Sequence, residues 1–267
     1  MRKVKHNPLR VWITGASSGM GEACAYLYAA RKAQLILTSS SLQKLEPVAD
    51  KCRLLGAEVT LLPYDLEQLA GIQALSLQAW QQYNGIDIMF CNAGVSQRTN
   101  VEDTSMEVFH KIMDINFYAP VEMTKAILPL MLENGGGNIA ATTSIAGCFG
   151  FPLRCAYSSS KHALYGFFET LQAEYTAKGI HTTLVCPGRV RTDISLNSLD
   201  RNGQRRGVMD PGQANGISAE KAARKIVRAI DRNRREVLVG GKELIMVYIK
   251  RYFPGLCAQL AQKIKPM

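Results

Sequence analysis

The chain has no cysteine or histidine grouping of the kind that builds a metal site or a disulfide framework. Its seven cysteines, Cys24, Cys52, Cys91, Cys148, Cys155, Cys186 and Cys257, are odd in number, scattered, and nowhere spaced as C-x-x-C. The four histidines, His6, His110, His162 and His181, do not cluster either. Most of the cysteines lie in apolar runs, where a thiol acts as a small hydrophobe, so reduced thiols in a cytoplasmic protein are expected. No stretch approaches the roughly 18 apolar residues of a membrane span. The basic start, Met1 to Lys5, leads into no apolar run of signal-peptide length. Low-complexity tracts, repeats and domain-sized linkers are absent as well. Charged residues make up 20% and hydrophobic ones 47%, a balance that excludes disorder as the main theme and suits one large core.

The net charge of +10 is unevenly placed. From Lys178 onward stand 18 of the 32 Lys and Arg but only 7 of the 22 Asp and Glu, leaving 14 against 15 before it. A basic end attracts nucleic acid or anionic lipid, or forms a solvated surface. The basic end lacks the interleaved aromatics of a nucleic-acid stacking platform, so no nucleic-acid partner is expected. The apolar and basic run from Leu244 to Phe253 packs on the body or a subunit, with peripheral membrane contact as the alternative.

Short apolar runs at 10–14, 34–39, 58–63, 86–91, 137–143, 181–186 and 236–239 alternate with helical patterns. Continuous rather than alternating apolarity marks strands covered by helices on both faces. Helices are expected over 21–31, 42–55, 104–132 and 157–178, the second capped by a serine cluster and the last stopped at Gly179. Pro120 and Pro129 predict a kink and an early stop in the third. The βαβ alternation predicts one α/β domain with a doubly wound, mostly parallel seven-stranded sheet. A nucleotide half spans about 8–135 and a catalytic half about 136–267. Turn signals crowd 192–216, a stretch long enough to form a lid over a ligand.

After the first strand comes Thr14-Gly15-Ala16-Ser17-Ser18-Gly19-Met20-Gly21, then a helix. Glycines there admit a pyrophosphate close to the backbone, and the helix start offers unpaired N–H groups. The second strand ends in Thr38-Ser39-Ser40-Ser41, with no carboxylate to repel a 2′-phosphate. NADP is therefore favoured over NAD. Tyr157 and Lys161 stand four residues apart, on one face of a helix. A phenol of ordinary pKa about 10 is a sluggish base, and a cation nearby favours its phenolate. Either feature alone could be accidental.

Together these residues resemble the short-chain dehydrogenase/reductase family over essentially the whole chain. The match continues through Asp65-Leu66 after the third strand, Asn92-Ala93-Gly94 closing the fourth, Asn116 in the next helix, and Ser144 thirteen residues before Tyr157. Pro187-Gly188, Val190 and Thr192 match the segment that meets a nicotinamide. The resemblance implies a hydride transfer between NAD(P)(H) and a carbonyl or secondary alcohol. It makes Tyr157 the general acid/base and has Lys161 lower the phenol's pKa and hold the nicotinamide ribose. Ser144 would bond the substrate oxygen and Asn116 a relay water. It also implies a homodimer or homotetramer through the long helices, with Phe168 among the residues left for a partner. Loop phrasing at 209–218 and 242–254 is similar to a branch near microsomal steroid- and retinol-type dehydrogenases. The N-terminal anchor common there and the arginine expected at Ser40 are not found. Cys148 and Cys155 are expected to line the substrate pocket or simply to pack, His162 to have a structural or surface role, and Arg201, Arg205 and Arg206 either to face an acidic substrate or to solvate the loop.

Overall fold

The structure, a computed structural model, describes residues 8–264. The basic start and His6 lie outside the described residues. Seven strands, β1 (Arg10–Thr14), β2 (Gln34–Thr38), β3 (Glu58–Leu61), β4 (Ile88–Cys91), β5 (Gly137–Thr142), β6 (Ile180–Pro187) and β7 (Glu236–Val239), form one sheet in the order 3-2-1-4-5-6-7. Every pairing is parallel. All seven expected strands are present, with ends shifted by one or two residues. The order reverses between β1 and β4, and at such a point the loops leaving the two strands part to open a crevice.

Helices cover both faces. On one, α1 (Gly19–Ala29), α2 (Leu42–Leu54) and α8 (Ala219–Asp231) close over Val11, Ile13, Leu35 and Leu37. On the other, α3 (Ile72–Gln82), α5 (Ala119–Glu133) and α6 (Cys155–Tyr175) close over Trp12, Ile36, Met89 and Ile139. Successive residues of β1 thus point to opposite cores, which is why both parities of the strand are apolar. At its start Arg10 grips Asp87 through Nε (3.0 Å) and a terminal nitrogen (2.8 Å), tying β1 to the approach of β4. Because the pair is largely buried, Asp87→Ala should lower unfolding free energy by about 3 kcal/mol, read by urea denaturation.

The region expected as one kinked helix over 104–132 divides differently. Helix α4 (Met106–Met113) passes into a π-turn over Asp114–Tyr118, and α5 then runs through Pro129 to Glu133 without the early stop. Pro120 has no N–H for the carbonyl of Asn116 four residues earlier, so the helix widens just ahead of it. Helix α6 ends through a 3₁₀ turn at Gly179 (φ 88°), the left-handed stop expected there.

Phe168 is 0% exposed and belongs to the core between α6 and the sheet, so it is not left for a partner. The 192–216 stretch holds one short helix, α7 (Pro211–Ala214). At the C-terminal end, α9 (Ile245–Tyr252) and α10 (Pro254–Gln262) place Met246, Val247 and Ile249 against Ile145, Phe149 and Cys257. The Leu244–Phe253 run therefore packs partly on the body, while Ile245, Tyr248, Tyr252 and Phe253 are exposed. Among the described residues no helix is long and apolar enough to cross a membrane. All seven cysteines are free thiols.

Candidate active site

The candidate residues gather at the C-terminal ends of β1, β4, β5 and β6. Gly15 (φ 61°) turns the chain out of β1, and a Cβ there would lie 2.8 Å from the Ala93 Cα. A Cβ on Gly21 would strike the Gly15 carbonyl oxygen at 2.2 Å. Asn92 locks this crossing: its Nδ2 donates to the carbonyls of Thr14 (3.3 Å) and Gly15 (3.2 Å), while its Oδ1 accepts from Thr142 Oγ1 (3.2 Å). Ser18 stands before α1 without a side-chain cap, so the helix start keeps N–H groups for an anion. Ser17, Ser18, Gly19 and Met20 thus form the lip of a cradle lined by backbone. Gly19 (φ 59°) lies against Thr192, bringing the segment after β6 to the same lip.

At the end of β2 the hydroxyls are less available than the sequence implies. Ser39 Oγ bonds the Ser41 backbone, and Ser41 Oγ accepts from Lys44 N (3.3 Å) as the cap of α2. Ser40 is exposed. No carboxylate occupies 39–44. Asp65 is exposed and its carboxylate accepts from Glu67 N (3.1 Å), whereas Leu66 is buried in the core. After β6, Gly188 N donates to Val239 O (2.8 Å), and Val190 is buried where the chain bridges Ile217.

Asn116 sits inside the π-turn. Its Oδ1 accepts from Val95 N (2.8 Å), and its Nδ2 donates to Val95 O (2.9 Å) and Ser160 Oγ (3.0 Å). A Cβ on Gly94 would meet Asn116 Oδ1 at 3.1 Å and Lys161 Nζ at 3.4 Å, so these three residues share one small space. Lys161 is buried, and its ammonium donates to the Thr142 carbonyl (2.7 Å) at the end of β5. Burial pushes its pKa down to about 7.

Tyr157, 8% exposed, is fixed at the start of α6 by its N–H donating to Gln97 Oε1 (3.1 Å). Burial holds its phenol above the ordinary value, outweighing the hydrogen bond with Ser144 and the Arg154 and Arg98 guanidiniums, which pull it down. Lys161 Nζ stands 5.8 Å from the phenol's ring centre and donates to the Thr142 carbonyl. Ser144 Oγ accepts from Ala146 N (3.1 Å), which fixes its side chain at the end of β5.

Ser144 lines a cavity of about 540 Å³ bounded also by Arg98, Phe151, Arg154, Arg189 and Asp210. Cys148 and Cys155 are not on its wall: Cys148 packs on Cys186 and Tyr165, and Cys155 turns to Gln97 and Thr104. His162 bonds the Ser158 carbonyl (2.8 Å), a structural role. Arg201 and Arg205 are exposed, and only Arg206 faces Asp210 (3.9 Å). The arginines and Asp210 on the wall come from loops far apart in sequence, with no shared spacing to signal them. Gln97 could have been suspected as an amide so close to Asn92-Ala93-Gly94.

A nicotinamide nucleotide fits this arrangement. The glycines let the turn after β1 pack directly on the Ala93 backbone and on α1, the uncapped helix start supplies donors, and Gly94 on the neighbouring loop adjoins Asn116 and Lys161.

Known proteins agree with the architecture. A family profile described as short chain dehydrogenase matches residues 10–202. A fruit fly (Drosophila melanogaster) protein, dehydrogenase/reductase SDR family protein 7-like, is 38% identical over 94% of this chain and 77% of its own. Mouse (Mus musculus) dehydrogenase/reductase SDR family member 7B is 36% identical over 92% and 78%. Among solved structures, a short chain dehydrogenase/reductase from Burkholderia phymatum in complex with NAD superposes with a TM-score of 0.83 at 24% identity, covering 95% of this chain and 96% of that one. A family profile over most of the chain and relatives above one-third identity leave one assignment: the chain is an oxidoreductase belonging to the short-chain dehydrogenase/reductase family.

Proposed function

We propose that the protein moves a hydride between NADP(H), or less favourably NAD(H), and a carbonyl or secondary alcohol, with Tyr157 as general acid/base. The observation that carries this reading is the gathering of buried Ser144, Tyr157, Lys161 and Asn116 at the C-terminal end of the sheet, with Ser144 on the wall of a cavity large enough for a small-molecule substrate. The nicotinamide, when bound, supplies or accepts the hydride. Tyr157 Oη gives a proton to the substrate oxygen in reduction and takes it back in oxidation. Ser144 Oγ donates to that oxygen where negative charge develops. Lys161 holds the nicotinamide ribose and passes the proton on. Asn116 holds open the space beside Lys161 and Gly94 in which a relay water would stand.

The pH dependence follows from the phenol. Oxidation needs its deprotonated form, and burial raises the phenol's pKa, so turnover in that direction should climb only at alkaline pH, beyond the ordinary phenol value of about 10. Reduction needs the protonated form and should hold through neutrality and fall only in that same alkaline range. Rate profiles in both directions check this, and parallel profiles would exclude Tyr157 as the titrating group.

Cofactor choice rests on charge at the end of β2. Ser40 is exposed and residues 39–44 carry no carboxylate, so a 2′-phosphate meets no repulsion from the end of β2 itself. Ser40→Asp should weaken NADPH binding about tenfold and shift preference toward NADH. Dissociation constants for both nucleotides test it; a parent that prefers NADH contradicts it. A homodimer or homotetramer would have to use the outer faces of α5 and α6, including the half-buried Phe167, since Phe168 is enclosed.

A further inference from the structure

The cavity beside Ser144 carries more positive charge than its own acids neutralise. Arg98, whose side chain is 5% exposed, pairs with Asp210. Arg154 reaches the same carboxylate only at 3.5 Å, and Arg206 only at 3.9 Å. Three guanidiniums thus converge on one carboxylate. A fourth, Arg189, lies on the same wall against Gly212 and is exposed. The wall's other acid, Glu243, is taken up by the backbone N–H groups of Arg189 (2.7 Å) and Gly241 (2.9 Å).

Crowded cations at a partly buried wall are costly unless an anion joins them. Burial and the neighbouring Arg98 and Arg189 charges bring the pKa of Arg154 down to about 10. The Phe151 ring covers one face of the Arg154 guanidinium, at 5.4 Å, which leaves the N–H edge for a planar or tetrahedral anion. Arg98 and Arg154 line the same cavity as Ser144, so an anion held there shares a compartment with the serine that would meet the carbonyl. The cavity wall also includes the apolar side chains of Met246, Leu260 and Ile264.

We propose that the substrate is a carbonyl compound bearing a carboxylate or phosphate, which Arg98, Arg154 and Arg189 bind while the carbonyl meets Ser144 and Tyr157. Asp210 spaces these guanidiniums before the substrate arrives. The proposal builds on the hydride-transfer reading for the carbonyl end, but the anion site itself can be tested without turnover.

Straight-chain oxo-carboxylates, their methyl esters and matching hydroxyketone phosphates serve as probes. Calorimetric titration into enzyme saturated with NADP⁺ should show an acid or a phosphate binding at least about tenfold more tightly than the ester of the same length. Which anion wins identifies the headgroup. In NADPH oxidation the same preference should appear in kcat/KM, chiefly through KM. Arg154→Gln should bring the acid-to-ester ratio toward one, and Arg189→Gln, at an exposed position that does not endanger folding, should lower it in the same direction. Tight anion binding without NADPH oxidation by any probe would support the anion site and overturn the hydride-transfer reading. Equal binding of anionic and esterified probes in the parent would overturn the anion site, even if both were reduced.

Discussion

Tyr157→Phe is expected to lower turnover by about 10²- to 10⁴-fold, the range contributed by a positioned general acid or base. Nucleotide affinity should change little. The ring remains enclosed, and α6 is still anchored by the Tyr157 N–H on Gln97, so the variant loses one hydroxyl and little else. Ser144 keeps its orienting bond from Ala146 N and can still polarise the substrate oxygen, which accounts for a residual rate. The Gly15–Gly21 cradle lies on other elements and is untouched. Steady-state rates alongside fluorescence titration of NADPH separate the two effects. Near-normal turnover would remove the phenol from the chemistry, whereas equal loss of binding and rate would make it a cofactor-positioning group.

Gly21→Ala should have the opposite signature. Its Cβ would fall 2.2 Å from the Gly15 carbonyl oxygen and 2.7 Å from Asn92 Nδ2, and neither can retreat as a flexible side chain would. Asn92 also bonds Thr14, Gly15 and Thr142, so relief must displace the crossing between β1 and β4. Overpacking of this kind costs about 3 kcal/mol. Since the same crossing forms the nucleotide cradle, NADPH affinity should fall about 100-fold, corresponding to roughly 2.7 kcal/mol. Urea unfolding with and without saturating NADPH tests both parts. The variant should unfold earlier and gain little from the nucleotide. An unchanged nucleotide-induced shift in the midpoint would show that the cradle is not built from this glycine contact.

The sheet was legible because it is covered on both faces. Trp12 and Ile13 point into different cores, so β1 reads as an unbroken apolar run, as β4 does. Ser144, Tyr157 and Lys161 were legible through their spacing on one strand end and one helix. The less legible features depend on tertiary contact. Pro129 looks like a stop, yet α5 runs through it, and the break falls in the π-turn that carries Asn116. Phe168 looks available on a helical wheel but is closed over by the sheet. The spacing places Lys161 beside the phenol but does not show that its ammonium donates to the Thr142 carbonyl. Arg98, Arg154 and the Arg189–Asp210 stretch come from three loops, and a linear pattern cannot show that those loops meet. The hydroxyls at 39–41 illustrate the same limit: their chemistry is visible in sequence, but not that two of them are already bonded.

The central claim is that a nicotinamide hydride reaches a carbonyl carbon beside Ser144 and Tyr157. It is tested most directly with NADPH deuterated at the transferring C4 position, mixed with the parent enzyme and the oxo-acid and oxo-ester probes. Mass spectrometry of the products locates the label. The account predicts one deuterium on the new carbinol carbon for each NADPH oxidised, with formation slowed by Tyr157→Phe at saturating nucleotide. Enzyme that binds NADPH but transfers no label, or that transfers it equally fast without the phenol, would contradict it.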